Sequence, residues 1–127
     1  MNRNKFFSRS LSAAIDKGKI LRVRAGSRSL HRFIGIWVVV VDGRVFARSW
    51  LREAGGWFRT FLDDPLGVIQ VGARNVRVRA VRVRSRRTWT AVERAYAQKY
   101  VTPASLAYVR GFRTPARREA TIEFLPR

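Results

Sequence analysis

The segment Arg48-Ser49-Trp50 combines groups that can bind a phosphate and a flat ring. Arginine pairs with phosphate through charge-assisted N–H bonds, and a neighbouring hydroxyl and backbone N–H groups add further donors. Trp50 offers an indole face beside them. Arg28, in a loop ahead of a predicted strand, has the reach to contact a phosphate tail. The structural alternative is that Arg48 lies along the sheet with its stem packed, and that Ser49 belongs to the core.

A second segment with the same chemistry begins after Gly55-Gly56, where Trp57 and Arg59 stand at the start of a predicted helix. The free N–H groups and the positive dipole end of a helix start favour anions. Trp57 can stack on a flat ring, although a Trp-Phe pair at a helix start also commonly belongs to a core. The segment therefore predicts either an anion site or a packing element.

The segment 76–84 carries a row of arginines, Arg77, Arg79, Arg82 and Arg84. The valines between them lie at even positions in the first half of the segment and at odd positions in the second half. A β-bulge near Ala80-Val81 would gather the four arginines on one face, where they could follow a polyanion backbone. The alternative is a solvent-facing barrel wall, since no aromatic residue alternates with these arginines to stack on bases.

The composition excludes several kinds of site. The sequence has no cysteine, which excludes disulfides and Cys-ligated metals, and His31 is its single histidine, so no metal site is predicted. Its carboxylates have turn, cap or helix-end positions and do not form a catalytic pair. The formal net charge is +19, from 27 basic and 8 acidic residues, and such a field attracts anionic partners.

The strongest structural signal is a hairpin. The run 34–41 is rich in β-branched residues around Trp37, Asp42-Gly43 is a typical type I′ turn, and 44–50 resumes as a strand. Alternation of apolar and polar residues, or a run of apolar residues, predicts further strands at 21–25, 68–71, 76–84 and 121–125. We expect one α+β domain over residues 1–127, with residues 1–5 flexible and an antiparallel meander at its centre.

Helical spacing predicts four helices. The first covers about Ser8 to Lys17, and the second holds Trp57, Phe58, Phe61 and Leu62 and ends at Asp63-Asp64-Pro65. Thr90 and Glu93 form a candidate capping box for the third. Thr102-Pro103 predicts an N-cap and first position for the fourth, which ends near Gly111.

The stretch IWVVVVDGRVFARSW, followed by GGWFR, resembles an uncharacterised family of small proteins within the FMN-binding split β-barrel superfamily. The family that it resembles is related to deazaflavin-dependent nitroreductases. VERAYAQKY and the closing ATIEFLPR also look like this family, so the resemblance runs from about residue 11 to the end. It implies a split barrel of about six mainly antiparallel strands with flanking short helices, usually as a homodimer.

The resemblance also implies FMN or deazaflavin in a groove at the dimer interface. The matching positions make Arg48, Ser49 and Arg59 candidates to hold phosphate, with Trp57 and Trp50 beside the ring and Arg28 near the tail. An enzyme of this kind would transfer a hydride to or from a small acceptor.

Two alternatives stay open. One is a non-enzymatic binder of nucleic acid or another polyanion, and the other is a barrel that has lost its cofactor and serves as a dimeric interaction module. The longest apolar run, 36–41, is too short to span a membrane. We therefore expect a cytoplasmic protein without a membrane partner.

Overall fold

A computed structural model describes residues 6–28, 31–50 and 56–127, so the expectation for residues 1–5 lies outside it. The described residues form seven strands in one strongly curled antiparallel sheet, with five helices. The strands are β1 (Leu21–Ala25), β2 (Ile34–Ile36), β3 (Val39–Val41), β4 (Arg44–Arg48), β5 (Leu66–Val71), β6 (Arg74–Arg82) and β7 (Thr121–Pro126). The helices are α1 (Arg9–Lys17), α2 (Trp57–Asp63), α3 (Arg86–Lys99), α4 (Pro103–Gly111) and α5 (Pro115–Arg118). The sheet order β2-β1-β5-β6-β7-β4-β3 confirms the α+β class.

The hairpin predicted at Asp42-Gly43 is confirmed. Asp42 has φ 51° and Gly43 has φ 76°, and Val41 pairs with Arg44 across the turn. The preceding strand differs from the prediction, because the run 34–41 breaks into β2 and β3. These two strands lie at opposite ends of the sheet order. One short stretch of chain thus supplies both edges and crosses the opening of the half-barrel at residues 37–38.

Hydrophobic cores lie on both faces of the sheet. The enclosed face buries side chains from most strands together with α1 and α2, for example Val45, Ala47 and Phe58. The outer face of β3 and β4 packs Phe46 against α3 and α4. Because side chains alternate along a strand, Phe46 and Arg48 point to the helices while Val45 and Ala47 point into the enclosed core.

The β-bulge predicted near Ala80-Val81 is wrong. The pairing of β6 with β7 runs without interruption from Val78↔Pro126 to Arg82↔Ile122. The buried valines change from even to odd positions because the C-terminal end of the strand is covered on the outer face of the sheet. Val83 belongs to the core on that face. Arg82 consequently lies on the side opposite to Arg77 and Arg79.

The capping box predicted at Thr90 and Glu93 is also wrong. Ser85 caps α3 by accepting a hydrogen bond from the Thr88 N–H at 3.3 Å, so the helix begins at Arg86. The cap of α4 is confirmed, since Thr102 accepts from the Ser105 N–H and Pro103 follows it. The short helix α5 was not predicted. Within the described ranges, no helix combines the length and apolar character needed to cross a membrane.

Candidate functional site

The break between β2 and β3 is held by side chains of α3 and of its C-cap residue, Tyr100. The Tyr96 hydroxyl donates to the Trp37 carbonyl at 3.1 Å, and the Tyr100 hydroxyl accepts from the Val38 N–H at 3.0 Å. Lys99 Nζ donates to the Val38 carbonyl at 2.8 Å. Burial raises the pKa of Tyr100 to about 12, so its hydroxyl stays protonated and able to donate at neutral pH. The backbone groups that leave the sheet are thus satisfied by a helix.

A cleft of ≈ 310 Å³ opens beside this break, between β2, the end of β4, the start of α2 and α4. Aromatic rings make up most of its wall: Trp37, Trp50, Trp57, Tyr108 and Phe112, together with Gly35, Ile36 and Arg48. A concave, mostly apolar site with few polar groups is the usual form of a small-molecule site, and its volume lies near the lower end of the common range of about 300–1,000 Å³.

The rings of this aromatic cleft hold one another in fixed orientations. Trp37 stacks on Tyr100 with ring centroids 4.1 Å apart and planes 7° from parallel. Tyr108 meets the edges of Trp37 and Trp50 at 5.9 Å and 4.9 Å. Tyr108 itself is 49% exposed and lies at the surface. Such edge-to-face contacts stabilise a rigid wall against which another flat ring can pack.

Arg117 fixes Trp50 from the other side. Its guanidinium carbon lies 3.5 Å from the Trp50 ring centroid, and its Nε donates to the Trp50 carbonyl at 3.0 Å. Its Nη1 donates to the Gly111 carbonyl at 3.3 Å, which joins α5 to the end of α4. A cation over an indole face is attracted by the ring quadrupole. The helix that the sequence did not predict therefore positions one wall of the cleft.

Arg48 is a buried structural centre behind the cleft. Its guanidinium donates to Thr121 Oγ1 at 2.7 Å, to Glu93 Oε2 at 2.9 Å and to the carbonyls of Phe112 and Trp89 at 2.8 Å and 3.3 Å. The side chain is 0% exposed. Burial lowers the pKa of Arg48, and the hydrogen bond and charge of Glu93 oppose that shift. A phosphate would have to displace these partners to reach it.

Glu93 completes this network with Arg118. Arg118 donates from Nε to Glu93 Oε2 at 2.6 Å and from Nη2 to Oε1 at 2.9 Å, while Arg48 binds the same carboxylate. Burial raises the pKa of Glu93, but the hydrogen bonds and charges of the two arginines outweigh it and hold the pKa below its ordinary value. Ser49, next to Arg48, is buried, and its N–H donates to the Ala120 carbonyl at 3.0 Å.

A second cavity, of ≈ 340 Å³, adjoins the aromatic cleft through their shared residue Trp57. Basic residues of β1 and of the segment before β2 line this basic groove: Arg24, His31 and Arg32, with Val23, Ala25, Ile34 and Thr60. Arg24 also lies over the Phe33 ring, 4.8 Å from its centroid. Arg28 and Arg59 are exposed in segments that flank the groove, and neither belongs to its wall.

The structure thus brings Arg48, Trp50 and Trp57 from the predicted set to one cleft, although the Arg48 guanidinium is occupied by protein partners. Sequence reasoning missed Tyr108 and Phe112 of the cleft wall, and it missed Arg117, which packs on Trp50. Of these three, only Tyr108 and Phe112 carry a local signal, as aromatic residues four apart at the C-terminal end of α4. Among the described residues, no group of three or more His, Asp or Glu side chains could hold a metal ion.

Two of the four arginines predicted to bind polyanions share a face. Arg77 and Arg79 project from the outer face of β6 and are exposed. Arg82 points to the enclosed side, lies 5.7 Å from the Phe58 ring centroid and donates from Nε to the Glu119 carbonyl at 3.1 Å. Arg84 is exposed beyond the end of the strand.

The fold is similar to that of a solved structure, the conserved hypothetical protein Rv2991 from Mycobacterium tuberculosis. The match has a TM-score of 0.57 at 11% sequence identity and covers 98% of this chain and 82% of that chain. This likeness concerns the fold alone, and the curled antiparallel half-barrel is consistent with a split barrel. No curated protein matches the sequence. Residues 13–124 match the sequence profile of the family described as "Uncharacterized protein conserved in bacteria (DUF2255)", and because this match spans most of the chain, the protein belongs to that family.

Proposed function

We propose that the protein binds a flat cofactor of the flavin or deazaflavin class and acts with it as an oxidoreductase. The observation that carries the proposal is the junction at Trp57 between the aromatic cleft and the basic groove. A flavin has the matching division into an aromatic ring system and an anionic phosphate tail. The ring packs between Trp37, Trp50 and Trp57, and the tail enters the basic groove.

The donor set for such a tail keeps Arg28 and Arg59 from the residues expected from the sequence, and it replaces Arg48 and Ser49 with residues of the basic groove. Arg32 and His31 line the basic groove, and Arg28 and Arg59 in the flanking segments add exposed guanidinium groups. Arginine binds phosphate through parallel N–H bonds, so this groove suits a phosphate monoester. Arg48 and Ser49 position the wall behind the ring in this arrangement, and they do not contact the phosphate.

The bound cofactor supplies hydride transfer to or from a small acceptor, while the protein supplies position and electrostatics. The aromatic wall keeps water from one side of the ring, and the basic residues neutralise the tail. We propose further that two copies form a homodimer in which each partner covers the other's cleft, as the split-barrel resemblance implies. Tyr108, at the surface of the cleft, is the residue that such a partner would contact first.

The test is a titration of purified, nucleic-acid-free protein with FMN, riboflavin and a deazaflavin, followed by fluorescence quenching at moderate and high salt. We expect saturable binding that survives high salt, with FMN tighter than riboflavin because of the phosphate. Trp57→Leu should weaken binding of all three compounds at least tenfold. Trp89→Leu is the matched control, because Trp89 packs against the outer core and does not line the cleft.

Comparing FMN with riboflavin in further variants tests the basic groove separately from the aromatic cleft. Arg32→Gln should weaken FMN and leave riboflavin unchanged, whereas Arg94→Gln, an exposed arginine on α3, should change neither. Equal affinity for FMN and riboflavin would overturn the role of the basic groove. Loss of all binding at high salt would overturn the cofactor proposal itself, because a shaped aromatic cleft does not depend on screened charge.

A further inference from the structure

The outer surface of β1, β5 and β6 carries a second feature that shares only Arg24 with the proposed cofactor site. Register places Arg24, Val68 and Arg77 in one row across these strands, and Arg22 and Gln70 in the next. We call this surface the arginine face; its outward residues are Arg22, Arg24, Leu66, Val68, Gln70, Arg77 and Arg79. None of them belongs to either core cluster. The face is therefore an uncovered wall of the half-barrel.

The arginines of this face stand in two columns. Arg22 and Arg24 alternate along β1, and Arg77 and Arg79 along β6, so each pair is separated by roughly 7 Å along its strand. The strand β5 lies between the columns, which places them about 10 Å apart at the backbone. Its outward side chains, Val68 among them, carry no charge and form a floor between the two columns.

The charges of this face are uncompensated. Arg44, Arg48 and Arg118 each have a carboxylate partner, at 2.6 Å, 2.9 Å and 2.6 Å respectively. Arg22, Arg77 and Arg79 have none among the described residues. Glu123, on the outer face of the neighbouring strand β7, is held by Arg44. Unpaired like charges on one face repel one another, and a polyanion relieves that repulsion.

We propose that the arginine face binds the phosphate backbone of double-stranded nucleic acid without reading its sequence. A duplex presents phosphates at high density, and neutralising them releases counterions. Single strands are bound by stacking bases on aromatic rings, and among the described side chains that this face presents to solvent none is aromatic. A membrane-binding surface projects its apolar residues, whereas Leu66 and Val68 are half-buried between the cationic columns.

The test compares two variants of equal net charge. The face variant Arg22→Gln/Arg77→Gln/Arg79→Gln removes three arginines of the face, and the control variant Arg86→Gln/Arg87→Gln/Arg94→Gln removes three exposed arginines of α3. The probes are a mixed-sequence duplex of 20 base pairs, one of its single strands and vesicles of anionic phospholipid. Affinity is measured by fluorescence anisotropy, or by co-sedimentation for the vesicles, between 50 and 200 mM salt.

We expect the wild type to bind the duplex more tightly than the single strand or the vesicles. The face variant should bind the duplex at least tenfold more weakly. The slope of log K against log salt should become shallower by about 3, at roughly 0.9 for each lost phosphate contact. The control variant should keep most of its affinity. Equal losses in both variants would mean that net charge alone attracts the duplex, and tighter binding of the single strand or of vesicles would also overturn the proposal.

Folding and cofactor binding provide internal checks. Circular dichroism should be unchanged in both variants, because all six substituted side chains are exposed. If the triple face variant were unfolded, Arg77→Gln/Arg79→Gln would replace it, with Arg86→Gln/Arg87→Gln as control and an expected slope change of about 2. FMN titration should give the same result in face variant and wild type, since neither Arg22, Arg77 nor Arg79 lines the aromatic cleft or the basic groove.

Discussion

Arg48 on β4 and Glu93 on α3 lie 45 positions apart in sequence and form a buried ion pair at 2.9 Å. Thr121 of β7 and the Phe112 carbonyl accept further hydrogen bonds from the same guanidinium. The pair therefore joins the sheet to the helices that cover its outer face. It also fixes the backbone from which Trp50 and Phe112 reach the aromatic cleft.

Replacing Glu93 with Gln should destabilise the fold by about 3 kcal/mol. The substitution leaves the buried Arg48 guanidinium without its counter-charge, and the loss of one partner of a buried pair typically costs about 3–5 kcal/mol. Urea unfolding followed by circular dichroism measures the change. Glu119→Gln removes an exposed carboxylate that forms no ion pair within the described residues, so it should change stability by less than about 0.5 kcal/mol. Equal effects from the two substitutions would contradict the structural role of Glu93.

The stabilising effect of Glu93 should depend on pH in a defined direction. The folded-state pKa of Glu93 is below the ordinary value, so between the two pKa values the unfolded chain binds more protons and stability rises with pH. The difference in unfolding free energy between wild type and Glu93→Gln should be constant above about pH 5. It should shrink as the pH falls below the ordinary glutamate value of about 4.3. Urea titrations at several pH values between 3 and 7 measure it, and a difference that grew on acidification would show the opposite shift.

Replacing Tyr96 with Phe should destabilise the protein by about 1–3 kcal/mol. Its hydroxyl accepts from the Arg48 N–H at 3.0 Å and donates to the Trp37 carbonyl at 3.1 Å, and both groups become buried and unpaired without it. Thermal unfolding measures the loss. Tyr108→Phe serves as the control, because the described residues offer no partner to the Tyr108 hydroxyl and its ring remains in place. If Tyr96→Phe left the stability unchanged, then water or a local rearrangement of the structure would satisfy these two backbone groups.

Replacing Gly111 with Ala should disturb the aromatic cleft directly. A Cβ at this position would overlap the six-membered ring of Trp50. Alanine favours helix by about 1 kcal/mol over glycine, so a net loss of stability would identify the steric conflict. We expect an altered near-UV circular dichroism spectrum and weaker FMN binding. Gly18→Ala, where the nearest atom lies 3.6 Å from the added carbon, should leave both unchanged.

The sequence could predict those parts of the fold whose backbone geometry depends only on adjacent residues. Asp42-Gly43 specifies its turn through positive φ, and Thr102-Pro103 specifies a helix start through its own side chain and ring. Glu93 shows the limit of such patterns. Its spacing from Thr90 suited a cap, but its real partners, Arg48 and Arg118, come from distant elements.

The candidate site was only partly predictable for the same reason. Trp50 and Trp57 could be chosen as ring-binding residues because each lies two positions from an arginine, Arg48 or Arg59, and because the family resemblance places them beside the ring. Tyr108 and Arg117 join them only through tertiary packing of α4 and α5. The phase of Val81 and Val83 was misjudged because a sheet with cores on both faces does not keep one apolar side along a whole strand.

The side-chain bonds at the break between β2 and β3 also determine what limits local opening there. The Val38 N–H is protected by Tyr100, the C-cap residue of α3, 62 residues away, where a strand neighbour would normally protect it. Hydrogen exchange at this amide therefore requires the C-terminal end of α3 to detach, and its protection should follow the opening of that helix end. The break between β2 and β3 therefore opens only as often as the end of the helix that covers it, and the hydrogen bonds of the sheet do not determine its local stability.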